Sequence, residues 1–344
     1  MRRKRNTVTA FAAFLTTLAT VTTLTVAPAE AGGRVAPTEA GGRVAPTEAG
    51  GRPGLTGKSP VHPALWPHLA AYYDFEHPVR GNPAKERDLG FSRTDIDLVG
   101  GGARMRTKDG AHRGSRTSLQ VRQVTPEAKG NDDWKAGVYG PSGVPTLRAF
   151  NAVDGMTVMG WYKMTGPNPS PNSNSASPDD LYGAVGLAGV LSGDSDGHAV
   201  RGLLEIIEVN GELRLVALGR RVDGGSSQTF AASQDWRTLL PVGEWVFLAA
   251  TFDFGTGAMA LYRNGQRLDG FYTVPGDPWD LSGPGPHRAS PTDPRGIKIG
   301  GSFPQNTAER NPCDCRMDSL MFLDSAVSGD RIRAQYRRVT GTGW

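Results

Sequence analysis

Apolar positions along this chain recur with the period of strands rather than of helices. The densest case is Glu244 to Asp269, EWVFLAATFDFGTGAMALYRNGQRLD. Glu244–Phe254 is largely β-branched and aromatic, Gly255-Thr256-Gly257 breaks it, Ala258–Arg263 resumes it, and Asn264-Gly265 turns it again. Asn-Gly between two such runs is a strong hairpin mark, because both central residues of the turn must take φ > 0. The segment therefore predicts an antiparallel meander.

The same reading continues along the chain. Ala70–Phe75, Asp95–Val99, Arg104–Arg106, Ser118–Gln123 and Thr146–Phe150 are short strand candidates, with Asp109-Gly110 as a turn. Met156–Met164 is a longer strand centred near Trp161. Val185–Leu191, Gly202–Val209, Glu212–Leu218, Ile297–Gly300 and Arg316–Asp324 complete the set, and Asn210-Gly211 supplies a second hairpin turn. Helical periodicity occurs once, over Gly329–Val339, where Ile332, Tyr336 and Val339 share a face and Ser328 stands at the capping position. Many short strands and a single late helix predict an all-β, two-layer antiparallel sandwich.

The N-terminus stands apart from this pattern. Met1–Arg5 is basic, Thr7–Val26 is apolar, and Ala29-Glu30-Ala31 has small residues at cleavage spacing. Residues 1–31 are expected to be a secretory signal peptide. AGGRVAPTE then occurs twice over Ala31–Glu48, and a third copy begins at Ala49. This repeat is too short and too rich in Gly and Pro to bury a core, so 32–60 reads as a linker. The expected mature protein is secreted, with no membrane span, and its globular domain covers 61–340.

Composition sharpens the picture in two places. The 46 glycines and 25 prolines suit a loop-rich β protein. The net charge of +4 resides largely in the leader and tail, and basic clusters interleaved with aromatics are missing, so nucleic acid is not an expected partner.

Several of these runs, in order, resemble the laminin G-like jelly-roll family of the concanavalin A-like lectin/glucanase group. They are Tyr72–Glu76 (YYDFE), Met156–Lys163 (MTVMGWYK), Trp245–Gly265, Ile297–Gly300 and Met317–Phe322 followed by Ser328–Tyr336. The resemblance implies a jelly-roll sandwich with one short C-terminal helix, binding sugar or protein. It also implies one structural Ca²⁺ held by Asp74, Glu76 and Asp318, with backbone carbonyls near Gly81 completing the shell. The other reading of Asp74 and Asp318 is as edge or turn residues that accept from backbone N–H groups.

No catalytic constellation is expected. The glucanase branch carries E-x-D-x-E on one strand face, whereas Glu205 and Glu208 fall on opposite faces of a strand. Gly193–Gly197 fits G-x-S-x-G but leads into a strand instead of a helix, so it reads as a turn. The six histidines have no zinc spacing. Cys313 and Cys315 are the only cysteines, and an exported chain is expected to pair them if a turn at Asp314 permits.

Trp161 and Trp245 read as core. Trp134, Trp236 and Trp279 lie beside Asp and Arg in loop-like stretches, where they either stack on a sugar or plug the sandwich ends. The function expected from sequence is thus non-catalytic recognition of a carbohydrate or cell-surface glycan. A polysaccharide hydrolase or lyase, or a protein-adhesion module, is the alternative.

Overall fold

The computed structural model describes residues 59–124, 133–151, 153–166, 185–191, 200–220, 227–273, 293–301 and 313–341. The leader, most of the repeat linker, Gly193–Gly197, Trp279 and nearly all of the two long polar insertions lie outside the described residues.

In chain order the strands are β1 (Leu69–Tyr73), β2 (Pro78–Val79), β3 (Asn82–Glu86), β4 (Ile96–Val99), β5 (Arg106–Thr107) and β6 (Ser118–Val121). They continue with β7 (Lys135–Tyr139), β8 (Gly155–Met164), β9 (Val185–Leu191), β10 (Val200–Val209), β11 (Glu212–Arg220) and β12 (Ser227–Ala232). The last six are β13 (Val246–Asp253), β14 (Met259–Arg263), β15 (Gln266–Arg267), β16 (Gly270–Tyr272), β17 (Gly296–Ile299) and β18 (Cys315–Leu323). Two α-helices are present among the described residues, α1 (Trp236–Leu239) and α2 (Gly329–Thr340).

Among the described residues, one sheet has eight strands in the order β15-β14-β13-β8-β18-β6-β5, with β1 also paired to β18. The other has ten, in the order β16-β12-β11-β10-β9-β17-β7-β4-β3-β2. All the pairings are antiparallel, as the hairpin reading requires. The protein is an all-β sandwich of two antiparallel sheets with one short C-terminal helix.

Alternation explains where each side chain goes. Val158, Tyr162, Leu204, Ile206, Leu248, Ala250, Ile297 and Ile299 fill the main core between the sheets. The opposite face of the eight-stranded sheet carries a second apolar cluster. There Trp161, Phe247 and Met321 pack with Leu65 from a 3₁₀ turn (Pro63–His68) and with Ile332 and Val339 of α2. Trp161 is thus core, on the sheet's outer side.

Both Asn-Gly turns take the expected backbone, with φ of 55° and 82° at Asn210-Gly211 and 50° and 78° at Asn264-Gly265. Two short candidates are corrected. Pro145–Phe150 is a 3₁₀ turn begun by proline rather than a strand, and Gly102–Met105 is another, leaving only Arg106–Thr107 as β5. Lys135–Tyr139, read as loop from the sequence, is a strand between β17 and β4. Ser328 stands at the N-cap of α2, but its side chain makes no capping bond.

Candidate functional site

Two regions gather chemistry-bearing side chains. The first is on the outer face of the eight-stranded sheet, where β1 meets β18. Alternation turns Tyr72, and two residues later Asp74, to the same side as Met321 and Asp318. Tyr72 is buried with its hydroxyl toward Ser319, and its ionisation is raised by burial and by the fields of Asp74, Asp318 and Glu76, against the opposing effect of Ser319. Asp74, Glu76 and Asp318 thus all lie near enough to Tyr72 to act on its hydroxyl.

Their oxygens are already engaged. Asp318, fully buried, accepts from Ala111 N at 2.8 Å, Ser115 Oγ at 2.6 Å and Ser319 Oγ at 3.0 Å. Glu76 accepts from the backbone N–H groups of Arg116 and Thr117. Asp74 accepts from Glu76 N at 3.1 Å and contacts His77 Nδ1 at 2.9 Å. Burial pushes the Asp318 carboxyl up to about 6 despite these donors. Among the described residues no group of three or more His, Cys, Asp or Glu side chains is placed to hold a metal ion. As arranged, the residues do not fit a calcium ion. Asp318 and Glu76 hold the peptide segment 111–117, and Asp74 accepts within its own turn, so Asp74 and Asp318 both accept from backbone N–H groups.

β18 bends to make this possible. Asp318 pairs with Trp161 and Met321 with Met159, so the strand carries one extra residue, and Ser319 adopts φ of 51°. The bulge brings Ser319 Oγ to 2.9 Å from His112 Nε2.

The second region is a cleft of about 400 Å³ at one end of the sandwich, lined by Gly211, Glu212, Leu213, Arg214, Ser233, Asp235 and Arg237. The type of turn at Asn210-Gly211 sends β11 back with Glu212 and Arg214 at its start. Arg214 is clamped: Nη1 donates to the carbonyls of Ala232 and Ser233 at 3.2 and 2.9 Å, and Nη2 donates to Glu212. Its Nε is buried without a partner. Asp235 caps α1, accepting from Arg237 N at 2.7 Å, and the Arg237 guanidinium lies 4.8 Å from the Trp236 ring centroid. The two guanidinium groups and two carboxylates balance, so the cleft is polar without net charge.

The anticipated aromatics separate. Trp236 is 1% exposed and belongs to the main core, so it underlies the cleft and does not offer a face to a ligand. An α-helical turn, which the polar neighbours disguise in sequence, is what turns its ring inward. Trp134 is half-buried, bridged to Arg122, with that guanidinium 4.1 Å from its ring centroid. Cys313 and Cys315 are joined by a disulfide with Cα atoms 5.4 Å apart. Glu205 is buried and Glu208 exposed, as alternation on β10 dictates. Sequence reasoning missed Glu212, Arg214 and Asp235; their nearness to the Asn-Gly turn and to Trp236 was the only sign.

The fold and these two regions define an all-β sandwich with a polar end cleft. No protein-family model matches the chain, and no curated protein matches it. Among solved structures it is similar to a Trypanosoma rangeli sialidase in complex with the inhibitor DANA, at 12% identity and TM-score 0.44, covering 79% of this chain and 33% of that one. It is also similar to the binding domain of botulinum neurotoxin DC in complex with rat synaptotagmin II, at 12% identity and TM-score 0.47, covering 81% and 53%. The chain thus spans between a third and about half of the length of these structures.

Proposed function

We propose that the protein is a secreted, non-catalytic carbohydrate-binding module and that the end cleft is its sugar site. The observation that supports this most is the Glu212–Arg214–Asp235–Arg237 set around a concave space of about 400 Å³. Planar carboxylates and guanidinium groups pair with the two oxygens of a vicinal diol, accepting and donating in one plane. Balanced charge suits a neutral, polyhydroxylated ligand. Arg214 is held by two carbonyls and a carboxylate before any ligand arrives, so little ordering is needed on binding. The volume lies in the range of small-ligand sites, about 300–1,000 Å³.

Export through the residue 1–31 leader and display on the repeat linker belong to the same proposal. Calcium does not carry recognition in it, since the three candidate carboxylates accept from protein donors.

A glycan array probed with the full chain, with and without chelator, tests the reading. Binding to a neutral glycan that survives chelation and falls at least tenfold in E212A/D235A supports it. Absence of binding to every glycan overturns it and favours protein adhesion, and release of shortened or unsaturated saccharides overturns its non-catalytic part.

A further inference from the structure

The segment between β5 and β6 has a division of charge that the end cleft does not use. Over Lys108–Thr117 (KDGAHRGSRT) every group that could tie the chain down points to the sheet. Asp109 accepts from Lys163 Nζ at 3.0 Å, from Trp245 Nε1 at 3.3 Å and from Arg316. Ala111 N and Ser115 Oγ share Asp318, and the N–H groups of Arg116 and Thr117 share Glu76. His112 Nε2 meets Ser319 Oγ at 2.9 Å. The turn itself is tight: Ser115 N donates to His112 O at 3.0 Å, and a Cβ at Gly110 would lie 2.2 Å from Ser115 O. Gly114, with φ of 99°, closes it.

What remains outside is cationic. Lys108, Arg113 and Arg116 are exposed, the Arg116 side chain to 88% although its Nη2 lies 3.5 Å from Glu76 Oε2. The one acid in the segment, Asp109, is spent on two sheet cations, and Asp318 and Glu76 are spent on the loop's own donors. A loop pinned at both ends thus presents three exposed cations, of which, among the described residues, Arg116 alone faces an acid, the largely buried Glu76. A backbone fixed in advance needs less ordering on binding, and each guanidinium offers a fork that matches two oxygens of a carboxylate or sulfate.

We propose that Lys108–Thr117 is a preorganised cationic loop that binds the acid groups of a polysaccharide, carboxylate or sulfate, as a site separate from the end cleft. The saccharide nature of the polymer rests on the carbohydrate-binding reading; the anionic class rests on the loop. Nucleic acid fits less well, because the segment has no Phe, Tyr or Trp on which a base could stack.

The test uses the full chain and four probes: dextran, dextran sulfate, polygalacturonate and a single-stranded DNA oligomer. Tighter binding to dextran sulfate or polygalacturonate than to dextran, weakening with salt, is expected, and which of the two binds identifies the acid group. R113E/R116E should lose at least tenfold for the acidic polymer. R267E/R331E, which reverses two exposed arginines elsewhere, should lose less than twofold. S115A keeps the charge but removes one of the two donors that tie the loop to Asp318, and should weaken acidic-polymer binding without altering the neutral-glycan binding that E212A/D235A removes. Equal losses in the two charge reversals, no loss in R113E/R116E, or DNA binding as tight as that of the acidic polymer would overturn the proposal. Failure of neutral-glycan binding alone strikes the cleft and leaves the loop standing.

Discussion

Ser115 and Asp318 are 203 residues apart in sequence, and their side chains meet at 2.6 Å. That bond ties an irregular loop to the middle of the sheet. It also engages a buried carboxyl group that accepts from two hydroxyls and a backbone N–H.

The pH dependence of this contact has a definite sign. Burial raises the Asp318 carboxyl from 3.8 to about 6, so the folded state binds its proton more tightly than the unfolded state. The group's contribution to stability is therefore largest below about pH 4 and falls as pH rises to about 6. Thermal denaturation between pH 4 and 7 should show this slope in the native chain and lose it in D318N. D318L, which orphans Ala111 N–H and the Ser115 hydroxyl, should cost roughly 2–5 kcal/mol at pH 7.

Lys135 is a second buried charge with an opposite lesson. It lies on the face of the ten-stranded sheet turned away from the main core, fully buried, and its Nζ has no hydrogen-bond partner. Burial draws it down from 10.5 to about 8, helped by the like charge of Lys298 and opposed by Asp133. The unfolded state holds this proton more tightly, so stability should rise with pH between about 8 and 10.5. K135M should stabilise the protein at pH 7 by roughly 1–3 kcal/mol and flatten that rise in urea titrations.

Asn264 does more than turn a hairpin. Its Oδ1 accepts from Phe247 N at 3.0 Å while its own N–H donates to Phe247 O at 2.8 Å. Phe247 is 1% exposed, so N264A should strand a buried N–H as well as lose the left-handed turn preference. A loss of roughly 2–3 kcal/mol is expected by chemical denaturation, against about 1 kcal/mol for N210A, whose turn is exposed.

The Cys313–Cys315 bond closes a very short ring, so it removes little freedom from the unfolded chain. C313A/C315A should fold, with a loss of roughly 1–3 kcal/mol arising from the closed ring and the two buried sulfur atoms together. Unfolding of the native chain with and without reductant, compared with the variant, checks this.

Much of the sandwich was legible because its cause is local. β8, β9, β13 and β14 follow from short apolar runs with β-branched or aromatic residues, and both Asn-Gly turns follow from the φ values that those residues tolerate. Lys135–Tyr139 was missed because Lys-Ala-Gly has no strand propensity; it is a strand because β17 and β4 flank it and supply its hydrogen bonds. Trp236 was misjudged because its sequence neighbours are polar while its helical turn directs only the ring inward.

The chain's order of residues determined the antiparallel class, the hairpin corners and the C-terminal helix, since each rests on contacts within a few positions. Tertiary structure alone decided what the acids do. Asp74, Glu76 and Asp318 look the same in sequence whether they meet a cation or a peptide. The path of Lys108–Thr117 across the sheet, held by Glu76 just after β1, by Lys163 of β8 and by Arg316 and Asp318 of β18, supplies the N–H and hydroxyl donors to Glu76 and Asp318, and the turn after β1 supplies those to Asp74.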